Sequence, residues 1–261
     1  MFLFFVFSIL QGLTEFIPVS SSLHLIFISD LLNGKIDLIT TVSIHLGSIL
    51  ALILFLYKNN LKNKSFNTIM LFKISFLGSL PIFLAGVFFY DYIKNDFSIS
   101  TLAIFSTIFF GVCLIYIDKL PTNTKYTLSD ISIPKILFVG LFQCISLIPG
   151  TSRAASVLIG SRLLKINNKD SIILALILSF PVILGAFCLT LFMEIFVNKT
   201  LTLSISPKLV LSIFTSFICS YFSILFFFKH SSRIGFKYFG YYRILLGFIL
   251  ILYYFTKTIY I

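Results

Sequence analysis

The sequence predicts an all-α integral membrane protein with six transmembrane helices plus two re-entrant helical hairpins, arranged as inverted-topology repeats. Three observations predict it. Hydrophobic residues make up 58% of the 261 positions and charged ones 11%, with a mean hydropathy of +1.06, so a water-soluble fold would lack the polar surface to cover itself. Six apolar runs, near 39–57, 68–90, 98–117, 170–193, 208–228 and 241–258, approach the roughly 20 residues that cross about 30 Å of hydrocarbon. Two other apolar stretches are each broken by a proline and small hydroxylated residues, FIPVSSS at 16–22 and LIPGTSR at 147–153.

The six runs leave no room for a separate soluble domain, so residues 1–261 read as one membrane domain. The net charge of +11 does not point to nucleic acid, because the Lys and Arg residues sit in short loops between apolar runs, as the positive-inside bias requires. Cys113, Cys144, Cys188 and Cys219 lie in apolar stretches without metal-ligand spacing and read as small hydrophobic side chains. The opening segment, MFLFFVFSILQGLTEF, lacks a basic n-region and a small-residue cleavage site, so it is expected to belong to the membrane fold and not to a removed signal.

The two broken stretches look like copies. Aligning Pro18 with Pro149 places Ile17 on Ile148, Ser21 on Ser152 and Ser22 on Arg153, with Gln11 and Gln143 just upstream. SLPIFLAG at 79–86 and SFPVILGA at 179–186 form a second pair in the same order. Repeat 1 then covers about 1–117 and repeat 2 about 134–261. Each proline ends a short helix, since it lacks an N–H and disfavours α geometry before it, and the Ser and Thr residues beyond it cap a new one. Segments 2–15 with 20–31, and 135–147 with 152–165, are each too short to span and read as hairpins over 2–31 and 135–165, their tips inside the membrane. Irregular backbone is tolerated there only if buried in protein or facing water.

Loop charge agrees with this layout. Twelve Lys and Arg residues fall in loops on the side assigned to the cytoplasm, including 58–64 and 229–237, against five outside, Lys35, Lys94, Lys199, Lys208 and Lys257. Three spans between the hairpins make the second enter from the opposite face, which inverts the repeats and puts both termini outside.

Among nine acidic residues only Glu15 lies deep in an apolar segment beside a break, and Arg153 is its cationic counterpart in the other. A charge at such depth costs roughly 2.5–3.5 kcal/mol on insertion scales, so it needs a partner or a function; an ion pair between the two is compatible with a chemical role. Gln11, Ser20, Ser21, Ser22, His24, Thr151 and Ser152 cluster around them at two helix N-termini, whose free N–H groups and partial positive charge favour an anion such as a phosphate or diphosphate. The guanidinium of Arg153 adds a planar fork for phosphate oxygens. Ser21 and His24, three apart, share a helix face at the spacing of a hydroxyl nucleophile and its base, although serines after a proline also serve simply as caps. His45 reads as a satisfied polar residue, Lys73 and Arg243 as snorkelling cations near span ends, and Glu194 and His230 as span-end residues without a special role.

The segment from Gln11 to His24, QGLTEFIPVSSSLH, resembles the (E/Q)xxxE and PVSSxGH stretches of the bacterial undecaprenyl-diphosphate phosphatases, the BacA family. Phe142–Arg153, FQCISLIPGTSR, is similar to that family's FQxxxxxPGxSR motif, and His45–Ala51 and Tyr242-Arg243 fall where it has similar residues. The resemblance implies removal of the terminal phosphate of undecaprenyl diphosphate, recycling the lipid carrier of peptidoglycan synthesis and conferring bacitracin resistance, in the bacterial plasma membrane with the site open to the outer face. It implies Ser21 as nucleophile, His24 as base or alternative nucleophile, Arg153 as phosphate clamp with Ser20, Ser22, Thr151 and Ser152 beside it, and Glu15 with Gln11 to orient the site or hold a divalent cation, Mg²⁺ or Ca²⁺. Leu23 stands where the family has Gly, and Ala154-Ala155 replace its Ser-Gly. Broken helices in inverted repeats are also the plan of secondary transporters, so a transporter or lipid flippase for an anionic substrate is the rival reading, and a non-enzymatic membrane partner the third.

Overall fold

The computed structural model of the chain describes residues 2–34, 38–63, 68–89, 101–121, 128, 131–192, 195–196 and 207–259. Two short helices come first, α1 (Phe2–Thr14) and α2 (Ser21–Leu31), then α3 (Leu38–Asn63), α4 (Thr68–Phe88) and α5 (Thr101–Asp118). α6 (Ile133–Cys144) tightens into a 3-10 turn (Ile145–Leu147) before the second break, followed by α7 (Arg153–Leu163), α8 (Asn168–Phe192), α9 (Pro207–Phe226) and α10 (Lys237–Ile259). A π-helical turn (Phe227–Ser231) and one further turn (Ser232–Ile234) extend α9.

Six helices among the described residues are long and apolar enough to cross a membrane: α3, α4, α5, α8, α9 with its extension, and α10. They coincide with the six runs read from the sequence. Among the helix starts that of α10 differs most, at Lys237 instead of 241. Gly235 at φ 83° ends the preceding turn, and the Asp118 carboxylate then accepts from the Phe236 N–H at 2.8 Å, capping the new helix from the end of α5. α1 and α2, of 13 and 11 residues, reach only about 20 and 16 Å, short of a bilayer core. Of the expected loop residues, Lys35, Lys64, Lys94, Lys125 and Lys199 lie outside the described residues, as do Glu194, residues 91–97 and most of 196–206.

The side chains are sorted inside out relative to a soluble protein. Phe72, Phe88, Phe105, Phe222 and Leu252 are exposed, whereas Ser48, Ser79, Ser216 and Ser220 are buried. In lipid, helix association gains little from burying more hydrocarbon, so interfaces select small residues and interhelical hydrogen bonds. Ser216 donates to the Ile44 carbonyl at 2.6 Å and Ser220 to the Ser48 hydroxyl at 3.0 Å, joining α9 to α3. Gly47 lets these backbones touch, because a Cβ there would meet the Phe217 nitrogen at 2.9 Å. At the centre, Asp170 to Ser179 of α8 are buried on every face, which explains why that stretch carries almost no polar side.

The contacts also fix relative direction. α3 and α9 run parallel, Ile44 meeting Ser216 and Phe55 meeting Phe228. α4 and α8 do the same, with Ser75 on the Ile177 carbonyl and Gly185 against Phe83. α1 is parallel to α9, α6 to α4, and α5 is antiparallel to α10. After α2 the chain returns to Gly34, which lies against Leu3 at the start of α1.

Candidate active site

Both breaks enter their second helix through a left-handed serine. Ser20, at φ 74°, precedes α2, and Ser152, at φ 76°, precedes α7. This gives the two breaks a different alignment from the one their prolines give. Ser20 matches Ser152, and Ser21 matches Arg153, one position off the proline alignment, because Gly150-Thr151 occupy the place that Val19 fills alone in the first break. Only the second serine caps by its side chain, accepting from the Ala155 N–H at 3.4 Å; the Ser20 hydroxyl instead meets Ser22 at 3.4 Å. Non-glycine residues at positive φ cost about 1–3 kcal/mol each and persist where the surroundings over-determine them. Here α5 supplies part of that constraint: Ser106 donates to the Pro149 carbonyl and Thr107 to that of Gly150 at 3.3 Å. Gly150 is required twice over, by its φ of 86° and because a Cβ would collide with the Ala103 carbonyl.

The breaks bring Glu15, Gln11, Ser21 and Arg153 together. Glu15 is buried, and its Oε2 accepts from Gln11 Nε2 at 2.7 Å and from the Ser21 hydroxyl at 2.6 Å. Its Oε1 pairs with Arg153 Nη2. Ser21 and Arg153, the first residues of α2 and α7, therefore meet on one carboxylate. An unpaired buried carboxylate would be expensive, and these three donors make its charge tenable. The Arg153 side chain is 23% exposed, and its remaining N–H groups carry no hydrogen bond among the described residues.

His24 is arranged differently from the expected Ser–His pair. Its Nδ1 lies 2.7 Å from the Ser20 carbonyl and its Nε2 2.7 Å from the Tyr242 hydroxyl, with no bond to Ser21 among the described residues. A carbonyl only accepts, so Nδ1 carries the proton, and in the neutral ring Nε2 accepts from the tyrosine. The two rings are stacked, 5.7 Å between centroids. Tyr242 also walls an apolar cavity of about 300 Å³ with Thr14, Ile17, Val19 and Tyr238.

Arg243 does not snorkel. It is wholly buried and donates to four carbonyls: Thr107 at 3.2 Å, Pro18 at 3.2 Å, Thr151 at 2.8 Å and Gly150 at 2.7 Å. It lies six residues into α10, about 9 Å from the helix start, whereas the apolar run read from the sequence begins only two residues before it. Lys73, by contrast, is exposed. His45 bonds the Thr41 carbonyl of its own helix at 2.7 Å and stands apart from the cluster, as does His230, which bonds Phe226. Thr151 is buried with an unpartnered hydroxyl, and Ser22 is exposed at the rim.

A divalent cation fits the donors present. Gln11 Oε1 is buried beside Glu15 with no partner among the described residues, and hard divalent cations take oxygen ligands from one or two carboxylates and from substrate phosphates. No cluster of three or more His, Cys, Asp or Glu that could hold a metal ion occurs among the described residues.

Residues 4–249 match the family described as bacitracin resistance protein BacA. The chain belongs to the BacA family. It is 32% identical over 249 residues to an undecaprenyl-diphosphatase of Pelagibacter ubique, covering 93% of each chain. With undecaprenyl-diphosphatase 1 of Bacillus anthracis it shares 33% over 256 residues, covering 93% of this chain and 94% of the relative. With an undecaprenyl-diphosphatase of Methanococcus aeolicus it shares 31% over 255 residues, covering 95% and 96%. Its departures from the BacA pattern are accommodated by packing. Leu23 is buried against Ala103, Leu246 and Leu250, and Ala154 and Ala155 are buried on α7.

Proposed function

We propose that this chain removes the terminal phosphate of undecaprenyl diphosphate, with Ser21 as nucleophile and Glu15 as its base. The observation that carries the reading is the Glu15 carboxylate, which takes the Ser21 hydroxyl on one oxygen and Arg153 on the other. Family membership and the names of the relatives supply the substrate. They do not favour a transporter.

In this reading the diphosphate lies against the free face of Arg153 and the N–H groups at the start of α2 and α7. Ser21 Oγ attacks the terminal phosphorus as Glu15 Oε2 takes its proton; the bond to the bridging oxygen breaks and undecaprenyl phosphate departs with that electron pair. Glu15 passes that proton to the departing undecaprenyl phosphate, then takes one from water, which displaces Ser21 from phosphorus; the carboxyl returns this proton to Ser21 Oγ and inorganic phosphate leaves. His24, held by Ser20 and Tyr242, anchors the left-handed turn that aims Ser21. A divalent cation, held by Glu15 and Gln11 Oε1, would neutralise charge on the transferred phosphoryl group.

The helix directions support two inverted repeats with re-entrant hairpins. α3 and α9, and α4 and α8, are parallel, while α5 and α10 are antiparallel, as an inversion between the repeats demands. The return of Gly34 to Leu3 fits a hairpin that leaves by the face it entered. Loop charge puts the first hairpin at the outer face of a bacterial plasma membrane, so the site opens outward. The test is phosphate release from undecaprenyl diphosphate by the purified protein. Steady release is expected; substrate binding without any release would overturn the reading and leave transport.

A further inference from the structure

Arg243 takes no direct part in that chemistry, yet it is the most fully satisfied buried cation beside it. Resting on the phosphatase reading, we infer that Arg243 is a positioning residue that holds the two breaks against each other and so sets where Arg153 stands relative to Glu15 and Ser21. Its Nη1 donates to Pro18 in the first break and Thr151 in the second, its Nη2 to Gly150, and its Nε to Thr107 of α5. One rigid plane thus spans both breaks and a transmembrane helix. No carboxylate pairs with it among the described residues, so all four contacts go to backbone.

The packing of α10 is built to deliver it. Gly111 of α5 and Gly240 of α10 face each other, and a Cβ on Gly240 would meet the Gly111 carbonyl at 2.6 Å. The Arg243 Cβ would lie 3.1 Å from a Cβ on Gly111, so the guanidinium passes close along α5 to reach the breaks. Those carbonyls border Ser20 and Ser152, whose left-handed backbone needs outside support. A lysine keeps the charge but converges its donors on one point and cannot bridge the same carbonyls.

The experiment is a double-mutant cycle on undecaprenyl diphosphate hydrolysis, with thermal unfolding in detergent as the check on folding. Arg243→Lys is expected to lower kcat about a hundredfold with KM little changed, the scale of a small misplacement of reacting groups. In an Arg153→Ala background the same change is expected to cost less than about threefold, because the group it positions is gone. Losses that multiply, or near-wild-type turnover in folded Arg243→Lys, would overturn the inference. Should Arg243→Lys fail to insert, Gly240→Ala lifts α10 from α5 with every polar group intact. It is expected to give the same kcat loss and the same cycle, and a folded, fully active Gly240→Ala overturns the inference equally. A wild-type protein that releases no phosphate would sink the phosphatase reading instead, a distinguishable failure.

Discussion

The Ser21 hydroxyl donates to Glu15 Oε2 across 2.6 Å, linking the first residue of α2 to the one carboxylate of the site. Ser21→Ala is therefore expected to insert and to bind the diphosphate, since Arg153 and the helix N–H groups remain. Hydrolysis should fall by orders of magnitude, whereas loss of a structural hydroxyl would mainly lower yield. Measuring kcat and substrate binding on the folded variant separates the two. Wild-type turnover would move the attack to His24 or to water.

Arg153→Lys keeps a positive charge for Glu15 but gives up the planar fork, one side of which is already committed to that carboxylate. Turnover should drop steeply while thermal stability changes little. Near-wild-type kinetics would make Arg153 a generic counter-charge and remove it from the phosphate.

Tyr242→Phe deletes one hydrogen bond to His24 Nε2 and retains the stacked ring. A single such bond contributes about 0.5–1.5 kcal/mol, so the rate should fall by no more than roughly tenfold. Steady-state kinetics check it. A far larger loss would make the phenol a proton donor in the reaction.

The layout itself predicts cysteine accessibility. Single cysteines at 58–64 and 229–237 should label from the cytoplasm, and those at 91–97 and 196–206 from outside. The Lys58 contact with the Tyr221 hydroxyl near the end of α9 places the first pair of regions at one end of the protein. Labelling of 58–64 from outside would contradict the inversion.

The spans and the identity of the charged pair were legible in the sequence, because hydropathy and isolated charge are one-dimensional signals: α3 to α5 and α8 to α10 follow from apolar runs, and Glu15 and Arg153 from their depth. Partners within the site were not. Ser21 and His24 share a helix, and spacing alone joins them, but the left-handed turn at Ser20 sends the hydroxyl to Glu15 and leaves the imidazole facing Tyr242, more than two hundred positions away. Aligning the prolines of the two breaks differs by one residue from aligning their positive-φ serines, because backbone conformation at a helix start is not written in the proline position. Arg243 was missed because a cation in an apolar run has two fates, snorkelling or burial against carbonyls, and only tertiary contact with the breaks decides.

The most direct test of the central claim is to quench a single turnover of the wild-type protein on undecaprenyl diphosphate labelled in its terminal phosphate and to map the label by peptide fragmentation. A phosphoryl group is expected on Ser21, formed before phosphate is released and absent in Ser21→Ala. Label on His24, or phosphate release in full with no labelled protein at any time during the turnover, would contradict it.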